Sequence, residues 1–97
     1  MTMTSKQRAK LRGLASGLET IGQFGKGELS DAQVKMVDDQ LAKRELIKLR
    51  VLETSPYTAA ECANLLAERT RSEVVQAIGN RFVLYRRNDK KPVIDLG

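Results

Sequence analysis

Three times in this chain a Ser or Thr is followed three positions later by Gln or Glu, just ahead of an amphipathic stretch: Thr4 with Gln7, Ser30 with Gln33, and Thr58 with Glu61. Each pair reads as a capping box, in which the hydroxyl accepts from a free helical N–H and the longer side chain returns to the N–H of the cap itself. The boxes predict helices over about 5–17, 31–44 and 59–70. The apolar residues of each fall on one side: Leu11, Leu14, Ala15 and Leu18 in the first, Val34, Val37 and Leu41 in the second, and Ala59, Cys62, Ala63, Leu66 and Ala67 in the third.

Strand-like runs fill the spaces between: TIGQF (20–24), ELIKLRVL (45–52), EVVQAI (73–78) and RFVLYR (81–86). In the second, Ile47, Leu49 and Val51 alternate with Lys48 and Arg50, so one sheet face is apolar and the other basic. Gly79-Asn80 is a two-residue hairpin turn of the type that begins with Gly, making the last two strands antiparallel. Strands joined through helices are expected to be parallel. The expectation is an α/β fold of order α-β-α-β-α-β-β: a compact two-layer sandwich of a four-stranded mixed sheet and three helices. With no repeat, linker or low-complexity segment, residues 1–97 form one domain.

Histidine is absent and Cys62 is the single cysteine, which excludes an internal disulfide, a cysteine metal cluster and the commonest general base. The acids cluster only at Asp38-Asp39, whose side chains diverge by about 100° on a helix. No catalytic constellation emerges, and the chain reads as a binding module, not an enzyme, with no cofactor or metal. Its apolar runs fall far short of the roughly 20 residues that span a membrane, and no signal peptide is evident, so a cytoplasmic location and no membrane partner are expected.

The net charge of +5 is unevenly placed. Residues 1–12 carry Lys6, Arg8, Lys10 and Arg12 with no acid, and residues 81–91 carry Arg81, Arg86, Arg87, Lys90 and Lys91 against Asp89. Basic ends on a slightly acidic body suit a polyanion, provided that the fold brings the ends together. Between them, Gly25-Lys26-Gly27 precedes a helix start, where free N–H groups and a positive dipole end favour an anion. GKGELS stops one residue short of the dinucleotide pattern GxGxxG, because Ser30 stands in place of the third glycine, and no phosphate loop of the GxxxxGK[ST] type is present. Nucleotide binding is therefore the weakest reading. The loop also matches most of the GxxG turn by which some RNA-binding domains admit a nucleic-acid backbone, with Glu28 at the fourth position. On helix 1, Lys6, Lys10, Gly13 and Gly17 form a strip away from the leucines, which suits either a polyanion or a partner helix, so a protein-interaction module stays open.

Four segments, SKQRAKLRGLA (5–15), IGQFGKGELS (21–30), QLAKRELIKLRVL (40–52) and VVQAIGNRFVLYRR (74–87), resemble in order and spacing the CRM domain, specifically its small stand-alone bacterial YhbY-like members. The resemblance runs from about residue 4 to residue 96. It implies a fold similar to the C-terminal domain of translation initiation factor three, and binding to RNA, with bacterial members associating with precursors of the large ribosomal subunit. Ribosomal RNA is then the expected partner of a monomeric assembly factor. The family's GxxG loop maps onto Gly25, Lys26, Gly27 and Glu28, the last departing from glycine, and its basic first helix onto Lys6, Arg8, Lys10 and Arg12. Arg81, Arg86 and Arg87 complete the expected RNA-binding set.

Overall fold

All three capping boxes close. In a computed structural model of the chain, which describes residues 3–27 and 29–95, Thr4, Ser30 and Thr58 are extended N-caps whose hydroxyls accept from the N–H of Gln7, Gln33 and Glu61 at 3.1, 3.2 and 3.1 Å. The side chains of those three residues in turn accept from the caps' own N–H groups at 3.0, 3.0 and 2.9 Å. Helices α1 (Ser5–Ala15), α2 (Asp31–Arg44) and α3 (Ala59–Thr70) follow.

Strands β1 (Thr20–Phe24), β2 (Leu46–Val51), β3 (Glu73–Ile78) and β4 (Arg81–Tyr85) form one sheet in the order β1-β2-β4-β3. β1 runs parallel to β2, while β4 is antiparallel to both of its neighbours, so the sheet is mixed as the helical connections require. The β3–β4 turn has the expected chemistry: Ile78 pairs with Arg81 across two residues, and Gly79 alone of those two takes a positive φ, 61°.

Side-chain alternation divides the interior in two. Ile47, Leu49, Val51, Phe82 and Leu84 point to one face, where α2 and α3 cover them with Val37, Leu41, Cys62, Ala63 and Leu66. Leu46, Val75, Val83 and Tyr85 point to the other, where α1 supplies Leu11 and Ala15 and the chain ends add Met3 and Ile94. The helical layer of the sandwich is thus α2 with α3, and α1 lies alone across the opposite face. Here the structure corrects the expected apolar face of helix 1. Leu14 and Leu18 remain 45% and 36% exposed, because the helix stops at Ala15 and meets the sheet along the narrow Leu11–Ala15 line.

The C-terminal tail is held by a buried charge that no local pattern announces. Glu45 ends α2 with φ 64° and ψ −43°, a conformation costly for any residue with a Cβ, and is fully buried. Its carboxylate accepts from the backbone N–H groups of Asn88, Val93 and Ile94, each at 2.6 Å, and its carbonyl accepts from the N–H of Arg86 at 2.9 Å. A carboxylate out of water must be hydrogen-bonded, and three main-chain donors from one segment meet that demand. Tyr85 lies under the same tail; burial first, and the Glu45 charge second, push its phenol above the ordinary range.

Two measurements follow from this interior. Glu45→Ala should lower the unfolding free energy in urea by about 2–4 kcal/mol and abolish hydrogen-exchange protection at the amides of Asn88, Val93 and Ile94; a tail still protected in the variant would show that the carboxylate does not hold it. Burial pushes the Cys62 thiol from 9.0 up to about 11. Because the unfolded chain then ionises first, stability is intact below the ordinary value and falls as pH rises between about 9 and about 11, with Tyr85 acting in the same direction. Cys62→Ala should flatten this decline in urea titrations at successive pH values.

Candidate nucleic-acid interface

α1 covers only the half of its sheet face where β2 begins and β4 ends, against Leu46, Val83 and Tyr85. At the other end, where β1 and β2 finish, the face is open. Lys48 and Arg50 point outward there because Ile47, Leu49 and Val51 point into the α2–α3 core, and Arg81 points outward because Phe82 points inward. The register sets these residues side by side: Gln23 pairs with Arg50, Arg50 with Arg81, and Lys48 with Val83. The remaining outward positions of that half, Thr20, Gln76 and Ile78, carry no charge.

The Gly25–Gly27 loop rises from the same end. Val51 N–H donates to the Asn80 carbonyl and Leu52 N–H to the Phe24 carbonyl, both at 2.8 Å, so the loop and the β3–β4 turn flank the row of cations. Gly27 takes φ 93°, which a Cβ would strain. A Cβ on Gly25 would sit 3.2 Å from both Leu52 Cδ1 and Thr54 Oγ1. Lys26 between them is exposed, and Glu28 lies outside the described residues. The expected contribution of helix amides is reduced by the fold itself. Ser30 already fills the acceptor position at the start of α2, and Asp31 places a carboxylate in its first turn, where it answers the dipole in the way that a phosphate would.

The expected cations divide by what the fold does with them. Arg8 donates to the carbonyls of Val74 at 2.5 Å and Val75 at 3.3 Å, bracing the bulge of β3, and the Lys10 ammonium donates to the Asp95 carbonyl. Arg86 donates to Asp38 Oδ1 at 2.5 Å, the Asp38 carbonyl at 3.0 Å and the Thr70 carbonyl at 2.7 Å, which ties β4 to both helices of the other face. Arg87 lies at the far end of β4 from Arg81, 3.8 Å from Asp89. Lys6, Arg12, Lys26 and Arg81 make no ion pair or side-chain hydrogen bond among the described residues. The basic C-terminal run is therefore split: Arg81 joins the loop side of the open face, and Arg86 is taken up by the fold. Lys48 and Arg50 were signalled in sequence by the alternation in ELIKLRVL, although their juxtaposition with Arg81 depends on pairing across 31 residues.

Among the described residues, no group of three His, Cys, Asp or Glu side chains is placed to hold a metal, and no helix is long and apolar enough to cross a membrane. Comparison with known proteins gives a consistent picture. The sequence model of the CRS1 / YhbY (CRM) domain matches residues 3–86. The chain is 38% identical over 94 residues to a Bacillus subtilis protein named "Probable RNA-binding protein YqeI", covering 97% of this chain and 98% of that one. It is 29% identical over 92 residues to a Haemophilus influenzae protein named "RNA-binding protein", covering 95% and 93%. The solution structure of a Staphylococcus aureus protein superimposes with a TM-score of 0.81 at 42% identity, over 99% of this chain and 100% of that one.

The glycines of the basic helix and the loop should respond oppositely to substitution. Gly13 is helical with open space around its missing Cβ, so Gly13→Ala should raise stability by about 0.5–1 kcal/mol. Gly27→Ala should lower it by about 1 kcal/mol, because alanine resists φ 93° although nothing lies within 4 Å. Urea unfolding of the two variants checks both signs.

Proposed function

The chain belongs to the CRS1/YhbY (CRM) domain family, and on that basis we propose that it is an RNA-binding protein, not an enzyme, that acts by holding a phosphate backbone. The observation that carries this reading is the row Arg50–Arg81 with Lys48 behind it and Lys26 on the loop beside it, a cationic surface whose strand positions hold no carboxylate. Multivalent cations on a rigid sheet gain affinity for a polyanion by releasing its condensed counterions. The names of the relatives point to the same ligand class. The specific RNA we propose, following the resemblance, is ribosomal RNA in precursors of the large subunit, bound by a monomer in the cytoplasm.

In this reading Lys26 is a phosphate contact, and Gly25 and Gly27 let the backbone approach the loop amides. Lys6 and Arg12 widen the footprint along α1, while Arg8 and Lys10 shape it. Lys26→Ala should weaken binding to a large-subunit ribosomal RNA fragment at every sequence tested and lower the salt slope of log K by up to about one unit. Binding unchanged in Lys26→Ala across a salt titration would remove the loop from the site. A partner whose affinity does not depend on salt would instead favour a protein contact along the glycine strip of helix 1, Gly13 and Gly17.

A further inference from the structure

Resting on the RNA-binding reading, we propose that the uncovered half of the sheet seats a single-stranded RNA segment, which passes from the Lys26 loop across β1, β2 and β4 with its phosphates on Arg50, Arg81 and Lys48. Arg50 and Arg81 are direct cross-strand partners. Like charges placed opposite each other destabilise a strand pair, and no strand residue on that half-face neutralises them. Arg86 and Lys35, by contrast, each have a carboxylate partner, Asp38 and Asp39. What sets Arg50 and Arg81 apart is that two guanidiniums stand directly opposite each other on a flat open surface, an arrangement that suits a compensating anion from outside.

Arg50 is also oriented. Its Nε and Nη2 both donate to Gln23 Oε1, at 3.2 and 2.7 Å, which fixes the guanidinium plane across the β1–β2 boundary. The opposite edge of the guanidinium is left for a phosphate and its face for a base. Beside it, the register slips between Thr20 and Gln23, and a shallow cleft of about 440 Å³ opens, lined by Thr20, Ile21, Gly22, Gln23 and Arg50. An unstacked base fits the chemistry of that cleft, with the Gln23 amide nitrogen and the strand backbone as polar partners.

The relief of the surface selects the single strand over a duplex. α1 stands on the sheet to roughly the height of a helix diameter, about 10 Å, and the three strands from Gln23 to Arg81 span only about 10 Å. A stiff double helix resting on α1 and the loop would bridge over that floor. A flexible single strand can lie along it.

The test compares the parent, Lys26→Ala and the double variant Arg50→Gln/Arg81→Gln by fluorescence anisotropy over a salt titration. The probes are a mixed-sequence RNA of roughly a dozen unpaired nucleotides and the same strand annealed to its complement. The parent should prefer the single strand. The double variant should lose about tenfold or more in affinity for it, and its salt slope should fall by about 1 to 1.5. The double variant removes the Arg50–Gln23 hydrogen bonds together with the repulsion, so it should stay folded, and circular dichroism beside the binding curves confirms that lost affinity is not lost fold. If Lys26→Ala weakens binding and the double variant does not, RNA binding stands and this path is overturned. Preference of the parent for the duplex overturns the path in the same way. If the parent binds neither probe nor a large-subunit ribosomal RNA fragment at low salt, the RNA-binding reading falls, and the path falls with it.

Discussion

Three helices cannot cover both faces of a four-stranded sheet, and the placement of the shortfall shapes the rest of the molecule. α2 and α3 spend their apolar sides on one face, closing it around Leu49, Phe82 and Leu84, all fully buried. Only α1 remains for the other, and its two buried residues reach only the end of the face near Leu46 and Tyr85. The C-terminal tail extends that cover through Ile94, provided that Glu45 gathers the tail's amides. What is left bare is the half of the sheet where β2 turns from Leu46 to alternating Lys48 and Arg50.

Seen this way, the basic charge of the chain has two uses. Arg8, Lys10 and Arg86 donate to backbone carbonyls at a bulge, a tail and a helix end. Such contacts span 85 residues in one case and 48 in another, and they close the molecule. Lys26 and Arg81, which make no such contact among the described residues, keep their side chains free to follow a ligand. Net charge alone does not distinguish the two groups, since a guanidinium bound to a carbonyl still contributes its charge to the surroundings while losing its freedom to follow a ligand.

The features legible in the sequence were those set by neighbours a few residues apart. Capping boxes, the Gly79-Asn80 turn and the alternation in β2 each depend on local backbone chemistry, and each has the predicted form. Family resemblance carried the fold class further than periodicity could. The features that were not legible depend on distant partners. Arg86 and Arg81 look equivalent in RFVLYRR, yet one meets Asp38 and the other faces solvent, because five residues of strand separate the two ends of the sheet. Leu14 and Leu11 likewise share a helical face in projection, and only the narrow line of contact with the sheet separates them. Glu45 had no signature at all: a carboxylate becomes an acceptor for a tail more than forty residues later only after both have been placed.

Met3 and Ile94 pack into the same small cluster beneath α1, and Lys10 meets Asp95 across it. Residues near both ends of the described chain therefore meet on the sheet face away from the α2–α3 layer. A unit whose entry and exit lie together can be spliced into a loop of another protein, or repeated in tandem on short connectors, with little distortion of either host or guest. The closure beneath α1 thus joins residues from near both ends of the described chain, while the cationic half-face beyond it stays open.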